Sequence, residues 1–96
     1  MGLYRLSSRA RIDLDEIADR IARDNPQRAV TFIDELAEKF AKIGDHPLAY
    51  GGRSQLPPHC RVAVHGSYRI IYKVEEDLPV ILRVFHAARD AHGIAL

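Results

Sequence analysis

Basic side chains recur in three neighbouring β-type runs of this sequence, and they are the first candidates for chemistry. Arg61, Arg69 and Arg83 belong to different runs but share one side of a predicted sheet, with Lys73 nearby. Guanidinium groups that project from one sheet face can bind a phosphate through two parallel hydrogen bonds. The alternative is a solvated face on which the aliphatic arginine stems cover neighbouring apolar side chains. The mixture of basic and apolar residues favours a protein or nucleic-acid partner.

A second candidate is His86, which stands at the end of the last β-type run and close to Arg89. In that position a histidine can act as a general base beside a polarising cation. The alternative is a structural or solvent-facing histidine. No two histidines have the i,i+4 spacing of a helical metal site, and Cys60 is the only cysteine. We therefore expect neither a metal nor a cofactor, and we expect Cys60 to be a packed, unreactive thiol.

Strict alternation assigns these residues to strands, because neighbouring side chains of a strand point to opposite faces. Each run has one apolar face, as expected for an antiparallel sheet that is covered on one side. The predicted apolar faces are Cys60, Val62 and Val64 in the first run, Tyr68, Ile70, Tyr72 and Val74 in the second, and Val80, Leu82 and Val84 in the third. The arginines lie on the opposite faces, together with Ile71, Ile81 and Phe85.

Two amphipathic helices are predicted to cover the apolar side of this sheet. The first runs from about Arg9 to Arg23, with Ser7 or Ser8 as its cap. Its carboxylates show no inward pair, so they are interpreted as surface residues: Asp13, Asp15, Glu16 and Asp19. The second helix runs from about Pro26 to Ile43, with Asn25 as its cap and Gly44 as its expected end.

The remaining segments complete an α+β fold with the element order βααβββ. Leu3 to Ser7 alternates as a short first strand, and Asp45 to His59 forms a loop that is rich in proline and glycine. Because almost nothing joins the helices, they should form an antiparallel hairpin packed on one face of a small, mainly antiparallel sheet. We expect residues 1–96 to be a single domain.

Composition restricts the class of protein further. The net charge of +1 means that any basic footprint is local. No apolar run approaches the ~20 residues that a membrane-spanning helix needs. The N-terminal residues lack the apolar core of a signal peptide, and the single cysteine fits a reducing compartment.

Over nearly its whole length the sequence resembles the ParE toxins of the RelE/ParE superfamily. Its most specific features are a Gly-x-Tyr-Arg-x-x-Tyr run from Gly66 to Tyr72 and a His-Ala-Ala-Arg-Asp run from His86 to Asp90. The resemblance implies a RelE/ParE-like fold and a cytoplasmic toxin of a type II toxin–antitoxin pair. In that superfamily, ParE members act on DNA gyrase and block replication, whereas RelE members cut messenger RNA on the ribosome.

The resemblance also suggests how to choose between these two branches. A RelE-like ribosome-dependent mRNA endoribonuclease uses a basic sheet face and a late acid or base, often a tyrosine. Its candidate catalytic residues here are Arg61, Arg69, Arg83 and His86. No tyrosine follows Tyr72, and the lysine-rich patch of the nucleases is missing. These departures favour the ParE branch and a toxin that is not an enzyme, with the ribonuclease as the alternative.

A cognate antitoxin is the implied protein partner, in a hetero-oligomer with the toxin. DNA gyrase is the implied target, and we expect neither sequence-specific nucleic-acid binding nor a membrane partner. The candidates for contact with a target or partner are Arg69, Lys73, Arg83, Arg89 and Asp90.

Overall fold

Two helices lie on one face of a four-stranded sheet in the computed structural model, which describes residues 2–51 and 56–88. The elements are β1 (Arg5–Leu6), α1 (Ser8–Asp24), α2 (Pro26–Asp45), β2 (Cys60–His65), β3 (Tyr68–Glu75) and β4 (Leu78–His86). In space the strand order is β1-β4-β3-β2, with β1 parallel to β4 and the other pairs antiparallel. The predicted α+β fold and its βααβββ chain order are confirmed, although the strands do not lie in chain order within the sheet.

Side-chain caps fix both helix starts. Ser7 Oγ accepts a hydrogen bond from the backbone N–H of Ala10 at 3.0 Å, and it donates to the carbonyl of Leu82 at 3.0 Å. Asn25 Oδ1 accepts from the backbone N–H of Arg28 at 3.0 Å. Because Asn25 alone separates α1 from α2, the two helices fold back on each other as a hairpin.

Gly44 does not end the second helix as predicted. The helix continues to Asp45, and the N-terminal segment crosses it at Gly44. A Cβ at Gly44 would overlap the backbone of Gly2 and Leu3. This glycine is therefore needed for a close approach between two segments of backbone, and not for a helix stop.

The core lies between the helix hairpin and the sheet. It contains Ala10, Ile17, Phe32, Leu36, Phe40, Ile43, Ala63, Tyr68, Ile70, Tyr72, Ile81 and Val84. For β3 the predicted inward face is correct, but for β2 it is reversed: Ala63 is in the core, while Cys60 and Val62 pack on the other face of the sheet. Both faces of β2 carry apolar residues, so alternation alone could not decide which one the helices cover.

A bulge divides the predicted inward face of β4. Tyr72 pairs with Ile81 and Ile71 pairs with Arg83, so Leu82 has no partner residue on β3. As a result Ile81 and Val84 both reach the core, while Leu82 joins Phe85 on the open face, which we define as the sheet face away from the helices. Period-two alternation fails at a bulge, because one extra residue changes the side to which the following side chains point.

Hydrogen bonds hold residues 46–51 along the outer edge of β2. Tyr72 Oη donates to the carbonyl of Pro47 at 2.6 Å, and Lys39 Nζ donates to Tyr50 Oη at 3.2 Å. The guanidinium of Arg61 donates to the carbonyl of Tyr50. The backbone N–H of Val62 bonds to the carbonyl of Gly51 at 3.0 Å, so part of the β2 edge is already paired within the chain.

The two hairpin turns both contain residues with positive φ, but only one of them uses glycine there. Gly66 has φ +57°, which suits glycine, whereas Glu76 and Asp77 have φ values of +51° and +66° in the β3–β4 turn. For a non-glycine residue the left-handed region costs about 1–2 kcal/mol.

We predict that Glu76→Gly raises the free energy of unfolding by about 1 kcal/mol, because it relieves the left-handed backbone of an exposed turn. The matched change Gly66→Ala should lower it by a similar amount. Urea denaturation measures both. Equal midpoints for Glu76→Gly and the wild type would contradict the prediction.

Candidate functional site

Arg83 was predicted to lie on a basic sheet face, but the structure buries it under α1. It is 4% exposed, and its Nε donates to Asp13 Oδ2 at 2.8 Å while Nη2 donates to Oδ1 at 3.1 Å. Asp13, 2% exposed, also accepts the backbone N–H of Val84 at 2.9 Å. Arg9 approaches the same carboxylate to 3.4 Å. The interpretation of Asp13 as a surface residue was therefore wrong, because α1 lies beside β4 and brings this carboxylate within hydrogen-bonding distance of both Arg83 and Val84.

Arg61 also lies apart from the predicted basic face. It shares the parity of Ala63, whose side chain is in the core, and its guanidinium donates to the carbonyls of Leu48 and Tyr50. The structure therefore uses this arginine to hold residues 46–51 against the sheet.

Arg69 and Lys73 are the predicted basic residues that do lie on the open face. Arg69 is half-buried, pairs across the sheet with Val64 and Phe85, and donates to the carbonyl of Tyr68 at 3.3 Å. Lys73 Nζ lies 2.5 Å from Glu75 Oε1 and holds the pKa of that carboxyl below its usual value. The open face is thus a mixed basic and apolar surface with fewer arginines than the sequence predicted.

Cys60 is buried on the open face against Ile71 and Phe85. Burial raises the pKa of its thiol, and the positive charge of Lys73 opposes that shift only in part. Because the thiolate is the reactive form, this geometry favours the packed, unreactive thiol that was predicted.

His86 lies on the other side of the sheet, in a row that crosses three strands. The row consists of His65, Tyr68 and His86, which are paired neighbours in β2, β3 and β4. The His86 ring meets the Tyr68 ring edge-on, with 5.2 Å between centroids, and its Nδ1 accepts the backbone N–H of Ala88 at 3.0 Å. Tyr68 Oη accepts a hydrogen bond from Arg20 Nη2 at 2.5 Å.

At the other end of this row, His65 joins an ion-pair network with two residues of α2. Glu35 accepts from Arg28 Nη1 at 2.6 Å and from His65 Nε2 at 3.1 Å. The hydrogen bond from Arg28, then that from His65, lowers the pKa of Glu35 below its ordinary value of 4.5. Phe32 packs against the rings of both His65 and Tyr68, with centroid distances of 5.7 and 5.0 Å.

Neither a metal centre nor a membrane span is found in residues 2–51 and 56–88. No three His, Cys, Asp or Glu side chains there come close enough together to hold a metal ion. No helix in this part of the chain is long and apolar enough to cross a membrane. Arg89 and Asp90, which were predicted to contact a target or partner, lie outside the described residues.

Comparison with known families decides the class of protein. The sequence profile described as ParE toxin of type II toxin-antitoxin system, parDE, matches residues 4–91. The chain belongs to the ParE toxin family. It is therefore the toxin of a type II toxin–antitoxin system, as its resemblance to ParE toxins had implied.

Solved structures of other toxin–antitoxin complexes share the fold of this ParE toxin. A chain of the chromosomal ParDE system from P. aeruginosa superposes with a TM-score of 0.77 at 20% identity, covering 90% of this chain and 96% of its own. A chain of the RelBE2 complex from Mycobacterium tuberculosis gives a TM-score of 0.60 at 24% identity, covering 88% and 96%. A search of curated proteins gave no match. At such identities the structural likeness establishes the fold alone.

Sequence reasoning missed two residues that this ParE toxin places beside His86, namely Arg20 and Tyr68. Tyr68 was assigned to the core, although a buried tyrosine hydroxyl at a strand end requires a hydrogen-bond partner. That requirement was a usable signal. Nothing in the sequence indicated that the partner would be Arg20, because 48 positions separate the two residues.

We predict that Asp13→Ala lowers the free energy of unfolding by about 3–5 kcal/mol, because it removes the carboxylate that forms an ion pair with the buried Arg83 charge. Asp15→Ala, an exposed change on the same helix, should stay within about 0.5 kcal/mol. Denaturant unfolding of both variants makes the comparison. Combining Asp13→Leu with Arg83→Met should recover part of the loss, since neither buried charge remains. Equal stability of Asp13→Ala and Asp15→Ala would show that the pair contributes little.

The Glu35 network predicts a stability that depends on pH. Because the folded protein lowers the pKa of Glu35, the ionised carboxylate stabilises it above pH 4.5, and this contribution is lost as pH falls through the lower, folded value. We expect Glu35→Gln to lower the melting temperature at pH 7, and the gap from the wild type to narrow below pH 4.5. Glu38→Gln, exposed on the same helix, is the control. If the difference in melting temperature between Glu35→Gln and the wild type does not change with pH, the ionised Glu35 carboxylate is not the source of the stability.

Proposed function

We propose that this ParE toxin inhibits DNA gyrase by binding it, and that a cognate antitoxin neutralises the toxin in the cytoplasm as part of a hetero-oligomer. Membership of the ParE family supports gyrase as the target, since ParE toxins act on that enzyme. Action by binding is supported by the separation of the side chains that a ribonuclease would need to bring together.

That separation is the observation that carries the proposal. Arg83 is buried against Asp13, and Arg61 is bound to loop carbonyls. Arg69 pairs with Phe85 on the open face, whereas His86 contacts Tyr68 on the helix-covered face. An acid or base must lie within hydrogen-bonding reach of the group it serves. These four side chains do not meet around one substrate position, so the geometry argues against the endoribonuclease alternative.

The open face is the surface that we assign to gyrase. Arg69 and Lys73 supply positive charge, and Val64, which pairs with Arg69, is an apolar side chain that is 44% exposed. Surfaces that mix arginine with exposed apolar groups are typical of protein interfaces. Arg89 and Asp90, which lie outside the described residues, remain candidates for contact with a target or partner.

We predict that purified, antitoxin-free toxin reduces supercoiling by gyrase and causes cleaved DNA to accumulate. Adding the antitoxin should reverse both effects. Full supercoiling at saturating toxin would exclude gyrase as the target. In parallel, a translation extract should keep its messenger RNA intact, and cleaved message there would support the ribonuclease.

Variants of the open face test the assigned surface. Arg69→Ala should weaken inhibition about tenfold or more, which corresponds to losing a charged contact of about 1.4 kcal/mol. Arg11→Ala removes an exposed arginine from α1 and serves as the matched control. If both variants inhibit as strongly as the wild type, the open face is not the gyrase surface.

A further inference from the structure

Two arrangements of an arginine and a histidine flank Phe32 and Tyr68 at one end of the sheet. In the first, a carboxylate joins the two cationic groups: Glu35 accepts from Arg28 at 2.6 Å and from His65 at 3.1 Å. The second contains Arg20 and His86, which both contact Tyr68. In the first arrangement, one carboxylate therefore accepts a hydrogen bond from each of the two cationic groups.

In the second arrangement, no carboxylate of the described residues forms an ion pair with Arg20 or His86, although Glu16 lines the same groove. Within residues 2–51 and 56–88, Arg20 forms no ion pair, and its hydrogen bond is to the neutral hydroxyl of Tyr68. The buried carboxylate that lines this groove is that of Asp13, whose oxygens are already bonded to Arg83 and Val84. The Arg20 guanidinium therefore keeps donors available for a ligand.

The hydrogen bond to His86 fixes which of its nitrogens can bind a ligand. Because Nδ1 accepts the backbone N–H of Ala88, the proton of the neutral ring is on Nε2. Nε2–H is then a donor, as is the Arg20 guanidinium. Both residues line one groove between α1 and the end of β4, together with Glu16 and Ile17.

The size and charge of the groove restrict the ligand. Its volume is about 30 Å³ and it opens to solvent, so it can receive the end of a partner side chain but does not enclose a whole small molecule. Glu16 on the rim disfavours a multiply charged phosphate more than a singly charged carboxylate. We propose that this groove is a carboxylate-binding site, in which Arg20 and the Nε2–H of His86 bind an aspartate or glutamate side chain of a partner protein.

The antitoxin is the partner that we assign to this site, and only that identification rests on the proposed function. Ile12 has an exposed apolar side chain on α1. Glu16 follows Ile12 by four residues and Arg20 follows Glu16 by four, so the three side chains lie along one face of the helix. A partner segment along α1 could therefore place an apolar group at Ile12 and an acidic group at Arg20.

The test uses the full-length toxin alone, so it is independent of gyrase and antitoxin. Sodium acetate replaces sodium chloride at constant ionic strength and pH 7.5, and the imidazole ¹H–¹⁵N resonances are followed. We expect a saturable shift of the His86 resonances. The His65 resonances should stay still, because Glu35 already occupies that position. Arg20→Gln should weaken acetate binding about tenfold or more.

Further variants and a second anion make the outcome decisive. Arg28→Gln, the matched change in the satisfied arrangement, should leave the His86 response intact. Tyr68→Phe should weaken binding, because Arg20 loses the hydroxyl that positions it. An unchanged response in both Arg20→Gln and Tyr68→Phe would overturn the site. Tighter binding of inorganic phosphate than of acetate would overturn the assignment to a carboxylate.

Discussion

The buried ion pair between Asp13 and Arg83 determines how α1 sits on the sheet. The carboxylate binds the guanidinium through two hydrogen bonds and also accepts the backbone N–H of Val84, so one side chain of α1 holds both a side chain and the backbone of β4. Removing two charges from water costs several kcal/mol, and complete hydrogen bonding offsets that cost. In the described part of the chain no buried side-chain nitrogen or oxygen lacks a partner. The pair therefore fixes together the position of α1 and the orientation of the residues that lead to His86.

Most of the fold could be predicted from local sequence signals. Ser7 and Asn25 mark the helix starts because their short side chains accept the otherwise unpaired N–H groups of a first turn. Alternation located all three long strands, and the minimal connection at Asn25 indicated a helix hairpin. Gly44 shows the limit of such signals: a glycine near a helix end indicates a stop or a close approach, and only tertiary structure distinguishes the two.

The candidate site could be predicted less well, because it depends on non-local geometry. The bulge at Leu82 leaves no mark in a run of apolar residues, yet it places Ile81 in the core and Leu82 on the open face. Arg61 and Ala63 lie on the helix side because β2 follows the register of β3, in which Ala63 pairs with Ile70. Sequence identified His86 correctly as a strand-end residue. Its neighbour Arg20 comes from another element, so spacing along the chain carries no information about that contact.

The fastening of residues 46–51 has a consequence for the behaviour of the chain in solution. An exposed strand edge is a template on which identical chains can add, and it is a common origin of aggregation. Here the N–H groups of Cys60 and Val62 bond to the carbonyls of Pro57 and Gly51, so the first half of β2 is sealed by its own chain. Tyr50 and Tyr72 hold residues 46–51 in this position, with 6.4 Å between their ring centroids. These two tyrosines thus protect the colloidal stability of the molecule as well as its fold.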